Sequence, residues 1–75
     1  MRTFTDRAGQ AWEVVAGRES WGAFFAIFVP GSAGRELRQT QLAAGSWDDA
    51  ERELDTMDEA GLQDLLERST MKNLG

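Results

Sequence analysis

The stretch Trp21-Gly22-Ala23-Phe24-Phe25-Ala26-Ile27-Phe28-Val29-Pro30-Gly31 decides the fold. Parity puts Trp21, Ala23, Phe25, Ile27 and Val29 on one side of it, with Gly22, Phe24, Ala26 and Phe28 on the other. Both sides are apolar, as in a strand covered on both faces. Bulky aromatic and β-branched side chains favour strand over buried helix. Pro30-Gly31-Ser32-Ala33-Gly34 then ends the element with strong breakers.

Toward the N-terminus, Gly17-Arg18-Glu19-Ser20 reads as a loop and Gln10 to Ala16 as the preceding strand. Arg2-Thr3-Phe4-Thr5-Asp6 is rich in β-formers, and Asp6-Arg7-Ala8-Gly9 carries turn chemistry. Asp initiates turns, and Gly takes the left-handed position of a type I turn with a G1 bulge. With Arg7-Ala8-Gly9 as a three-residue loop, Asp6 pairs with Gln10 and Phe4 lies opposite Trp12. Phe4, Trp12 and Val14 then share one face of the hairpin. The loop Gly17 to Ser20 does not fix the register of the second hairpin.

Toward the C-terminus, Glu36 to Leu42 returns as a fourth, more polar strand. Its weak alternation leaves a helical reading through Ala43-Ala44 open. Gly45-Ser46 opens a helical half, with Ser46 as N-cap and Asp48 and Asp49 in the first turn, where the helix dipole favours anions. Trp47, Ala50, Leu54 and Met57 recur at helical spacing. Asp58 is the next N-cap, with Met57 stapled onto Leu62; Thr56 and Glu59 offer a rival capping box. Leu62, Leu65, Leu66 and Ser69 form the second helical face, Arg68 suits its C-terminal end, and Gly61 weakens this helix by about 1 kcal/mol relative to Ala. Thr70 to Gly75 carries no structural signal, so the domain is read as residues 1–69 with a frayed tail over 70–75.

The chain changes character at Gly45. Residues 1–45 hold six of the seven aromatics and a net charge of +1, whereas residues 46–69 hold nine acids against Arg52 and Arg68, a net charge of −7. An aromatic front half joined to an acidic back half indicates a sheet under solvated helices. The expected fold is α+β: an antiparallel meander of three to four strands followed by a helical hairpin packed on one sheet face.

Size and composition limit the chemistry. A chain of 75 residues buries only roughly 60% of its unfolded surface, and chains this short lean on disulfides, a metal or a second copy. With no cysteine and no histidine, disulfides and ordinary zinc sites are excluded, which leaves oligomerisation as the staple. The absence of cysteine fits a reducing cytoplasm. The first residues have no apolar h-region, and the longest apolar run, Ala23 to Val29, is far short of the ~20 residues that span a bilayer. A soluble cytoplasmic protein is expected. The overall charge of −5 argues against broad affinity for nucleic acid or anionic membrane.

Without His, Cys or Tyr, catalysis must use carboxylates, hydroxyls or the lone Lys72 in the tail. Ser20, Ser32, Ser46 and Ser69 sit at turns or helix ends, and Gly31-Ser32-Ala33-Gly34 lacks the Lys-Ser/Thr pair of a P-loop. An enzyme is not expected, nor any cofactor. The carboxylates lack the spacing of a calcium loop. Asp48, Asp49, Glu51, Asp55, Glu59 and Asp64 form a candidate acidic surface, read first as a solvated face that aids solubility and second as a docking face for a basic partner.

The aromatics raise the sharper question. Two short helices cover one face of a small sheet, yet the strand at Trp21–Val29 is apolar on both. Trp21, Phe24, Phe25, Ile27 and Phe28 are therefore candidate interface residues: either Phe24/Phe28 or Trp21/Phe25/Ile27 lacks cover within the chain, unless sheet twist, loops and the tail hide it. The expected function is a non-enzymatic interaction module that self-associates through an aromatic sheet face. The alternatives are an acidic regulator of a basic, nucleic-acid-handling protein and a sheet platform for single-stranded nucleic acid, which needs a basic surround. The pattern Thr-Phe-Thr-Asp-x-x-Gly-x-x-Trp is too short to carry a family resemblance.

Overall fold

Two hairpins closed by the same turn build the front of the sheet. The computed structural model describes residues 2–19, 22–31 and 36–71. Strand β1 (Arg2–Thr5) pairs antiparallel with β2 (Ala11–Arg18), and Phe4 faces Trp12 as the turn chemistry requires. Gly9 N–H donates to the Asp6 carbonyl at 3.0 Å and Asp6 N–H to the Gln10 carbonyl at 2.9 Å. Gly9 has φ +86°, a left-handed conformation that costs glycine nothing. The Asp6 carboxylate locks this turn. Its Oδ1 accepts from Ala8 N–H and Gln10 N–H, and its Oδ2 accepts from the Trp12 indole, each at 2.9 Å.

The second hairpin joins β2 to β3 (Phe24–Pro30), with Arg18 opposite Phe24 and Val14 opposite Phe28. Its turn repeats the first: Gly22 N–H donates to the Glu19 carbonyl and Glu19 N–H to the Ala23 carbonyl, both at 2.9 Å, with Gly22 at φ +95°. This corrects the expected loop at Gly17–Ser20, because β2 runs on through Gly17 to Arg18. Gly17 stays in the strand for a packing reason: a Cβ there would lie 2.3 Å from Ile27 Cδ1. Strand β3 accordingly begins at Phe24 rather than Trp21, and Trp21 lies outside the described residues.

Residues 36–44 are not helical where described. Strand β4 (Arg38–Gln41) pairs with β3, and the bond from Leu42 N–H to the Phe24 carbonyl, 2.8 Å long, carries the register one step further. The expected helical hairpin follows as α1 (Trp47–Thr56) and α2 (Glu59–Arg68), and both expected N-caps are present. Ser46 Oγ accepts from Asp49 N–H at 3.2 Å and Asp58 Oδ1 from Gly61 N–H at 2.8 Å. The chain then returns as β5 (Thr70–Met71), pairing with β4. The tail expected from Thr70 onward thus begins with a fifth strand, and the sheet order is β1-β2-β3-β4-β5. The chain is α+β, with the helical hairpin inserted between the two last strands.

Both helices pack on one sheet face. Phe4, Trp12, Val14, Phe24, Ala26 and Phe28 meet Leu42, Ala50, Leu54, Leu62, Leu65 and Leu66 in a single core. Phe28 lies at its centre, fully buried with Val14 and Leu62, with the rings of Phe4 and Trp12 edge-on to it at 6.1 and 6.3 Å.

One cross-strand row on this face reads Arg2, Val14, Phe28, Arg38, Met71, and its two arginines hold the helices. Arg2 Nη1 donates to the carbonyls of Leu54 at 3.0 Å, Asp55 at 3.1 Å and Met57 at 2.6 Å, where α1 ends without a basic residue of its own. Arg38 Nε and Nη2 donate to Ser69 Oγ and the Ser69 carbonyl at 2.8 and 2.7 Å, at the C-cap of α2. These arginines satisfy carbonyls that a helix end leaves without partners. They also set the crossing of α2. It starts beside Met57 at β1 and ends at β4, three strand spacings or about 14 Å away, matching the ~15 Å length of a ten-residue helix.

Candidate interaction surface

The second sheet face carries no described helix. Alternation along the strands places Thr3, Thr5, Ala11, Glu13, Val15, Gly17, Phe25, Ile27, Val29, Gln39, Gln41 and Thr70 there, opposite the core set. Its middle is apolar: Val15 faces Ile27 across β2 and β3, with Phe25 and Val29 on either side of Ile27 along β3. Its borders are polar, with threonines on β1 and glutamines on β4. Glu13 is the only charged residue of this face among the described strands.

The candidate residues divide between the two faces. Phe24 and Phe28 are buried under the helices at 6% and 0% exposure, so they are not available for contact. Phe25 and Ile27 lie on the open face, and Trp21 lies outside the described residues. Among the described residues this face presents no well-exposed aromatic. Phe25 is 8% exposed although it takes no part in the helix-side core, and Val15, Ile27 and Val29 are half-buried. Among the described residues the exposed part of this face is an aliphatic stripe. Gly17 explains part of this, since its missing side chain lets Ile27 lie flat across the strand.

Among described residues the exposed aromatic is Trp47, on the other layer. It heads α1 at 43% exposure, packed edge-on against Phe24 at 5.4 Å, while the Arg18 guanidinium lies 5.9 Å from the Phe24 ring centre. Sequence periodicity assigns Trp47 to the helical core stripe. Its place at the very start of the helix leaves it at the rim instead.

The acidic candidates Asp48, Asp49, Glu51, Asp55, Glu59 and Asp64 are all exposed on the two helices. Asp49 pairs with Arg52 at 3.3 Å and Asp64 with Arg68 at 3.2 Å, ordinary surface pairs within a helix. Among the described residues no group of acids is arranged to hold a metal ion, and no helix is long and apolar enough to cross a membrane.

The arginines are spent elsewhere. Arg2 and Arg38 hold helix ends, Arg7 pairs with Glu67 at 3.1 Å at the hairpin tip, and Arg18 sits on the helix side over Phe24. None of these four flanks the open face, so the basic surround that a nucleic-acid platform needs is missing from the described strands. Sequence reasoning finds none of these arginine roles, because those of Arg2, Arg7 and Arg38 join residues more than thirty positions apart and that of Arg18 depends on the register of the second hairpin. Compared with known proteins, the chain matches no family model, no curated protein and no solved structure.

Proposed function

We propose that this chain is a non-enzymatic protein-interaction module that self-associates in a reducing cytoplasm. A second copy packs on the open sheet face to give four layers, helices outside and two sheets within. One observation carries this reading: an aliphatic stripe of Val15, Ile27 and Val29 on β2 and β3, bordered by threonines on β1 and glutamines on β4 with Glu13 as its one described charge, in a protein whose helix acids lie on the opposite layer. An apolar centre with a polar rim is the anatomy of a protein interface.

Charge sets how a second copy would sit. Two chains of net charge −5 repel, and stacking sheet to sheet sets their acidic helices as far apart as the fold allows. Size fits as well. Five strands about 4.8 Å apart present a face of roughly 20 Å by 20 Å, which buries on the order of 1,000 Å² in total, the lower end for a specific contact.

The test is light scattering over a concentration series, comparing wild type with Ile27→Glu. The reading expects wild type to associate and Ile27→Glu to halve the wild-type mass with an unchanged circular dichroism spectrum. Glu51→Lys, on the helix layer, should pair as wild type does. A wild-type chain that stays single throughout the micromolar range contradicts the reading.

A further inference from the structure

Among the described residues nothing pairs with the outer side of edge strand β1, and we infer that it pairs antiparallel with β1 of a second copy. The inference rests on hydrogen-bond geometry that is independent of the open face. The turn bond from Asp6 N–H to the Gln10 carbonyl marks Asp6 and Gln10 as a hydrogen-bonded pair. Antiparallel ladders alternate, so Phe4/Trp12 and Arg2/Val14 bond inward, and Thr3 and Thr5 turn their N–H and C=O groups away from β2. The bond from Gly31 N–H to the Ala11 carbonyl, 2.9 Å long, confirms the alternation, since Ala11 opposite Thr5 bonds toward β3. No described residue pairs with this edge.

A shallow groove of about 390 Å³ runs beside it, lined by Arg2, Thr3, Phe4, Thr5, Ala11 and Glu59. Proteins guard such edges with proline, bulges or outward charges. Strand β1 has no proline, and its one charge, Arg2, is turned inward to hold the end of α1.

The occupant follows from symmetry. Placing a two-fold axis at Phe4 sets Thr3 opposite Thr5 of the partner, and the two outward donors and two outward acceptors of each copy all find partners. Both threonine pairs then lie on one sheet face, where threonine is a favourable cross-strand neighbour. The result is a continuous ten-stranded sheet. Combined with the proposed face contact, it makes a four-chain particle at high concentration.

Multi-angle light scattering on wild type, Thr3→Pro, Ile27→Glu and the double variant separates the two contacts. Proline at position 3 removes one outward donor and no bond to β2, so the strand itself is preserved. Thr3→Pro is expected to halve the wild-type mass, Ile27→Glu to halve it independently, and the double variant to run as a single chain. If Thr3→Pro keeps the wild-type mass, edge pairing is overturned whatever Ile27→Glu does. If only Ile27→Glu keeps it, the face reading fails and edge pairing stands; a wild type that stays single overturns both. Should Thr3→Pro not fold, amide exchange on wild type decides. Thr3 and Thr5 amides protected at high concentration and rapidly exchanging on dilution support the pairing, and rapid exchange at both concentrations overturns it.

Discussion

Replacing Arg2 with Met tests whether the sheet holds the helices through its arginines. Met keeps most of the apolar stem and removes the guanidinium. The single nitrogen Nη1 lies within 3.1 Å of the carbonyls of Leu54, Asp55 and Met57, and α1 has no other cation in its last turn. One nitrogen carries two hydrogens, so three acceptors do not make three full bonds. A hydrogen bond to a charged group contributes about 1.5–3 kcal/mol, and partial exposure keeps the sum near the lower half of that range, about 2 kcal/mol. For a domain this small, 1 kcal/mol moves the melting temperature by roughly 4–8 °C, so Arg2→Met should melt roughly 8–16 °C lower. Urea unfolding followed by tryptophan fluorescence measures the loss directly. Arg52→Met removes only the exposed pair with Asp49 and should cost less than about 0.5 kcal/mol. If Arg2→Met also falls within about 0.5 kcal/mol of wild type, the arginine clamp contributes nothing and the argument from the cross-strand row is wrong.

Other substitutions probe the remaining parts of the account. Asp6→Asn keeps an acceptor for the turn amides but sets an NH₂ group against the Trp12 indole N–H, so a loss of about 1–2 kcal/mol is expected in the same urea assay; an unchanged midpoint would show that the carboxylate does not lock the hairpin. Gly61→Ala should not deliver the roughly 1 kcal/mol gain of helix propensity, because the new Cβ would lie 2.4 Å from Met57 Cγ. The gain should reappear when Met57 is first changed to Ala, and a full gain in the wild-type background refutes the contact. Phe28→Ala, at the fully buried centre, should cost about 3–5 kcal/mol and leave little cooperative unfolding by circular dichroism; a well-folded variant with a midpoint near wild type would contradict the assigned core.

Local signals were readable and long-range ones were not. Asp6-x-x-Gly9 announced its turn and register, and Ser46 and Asp58 announced their helices, because each works within four residues. The second turn carries the same acid-x-x-Gly spacing at Glu19 and Gly22, the local signal that fixes the register of β2 and β3. Gly17 reads as loop from the sequence because its role depends on Ile27 across the hairpin. Gly61 reads from the sequence as a weak helix residue, while its place under Met57 depends on how the chain enters α2. Strand β5 was invisible because two residues carry no periodicity, and its pairing comes from β4, some thirty positions earlier. Apolarity on both sides of the third strand was legible, but the division of its aromatics was not. That division follows from register, which puts Phe24 and Phe28 beneath the helices and Phe25 and Ile27 on the other face.

The central claim is that the aliphatic stripe of the open face is a contact between copies. Isotope-filtered nuclear Overhauser spectra on a mixture of labelled and unlabelled chains test it most directly, since they record only contacts between molecules. The account predicts intermolecular signals among the methyl groups of Val15, Ile27 and Val29, and none from Leu54, Leu62 or Leu66. Intermolecular signals arising from the helix layer alone, or none at concentrations where light scattering reports pairing, would contradict it.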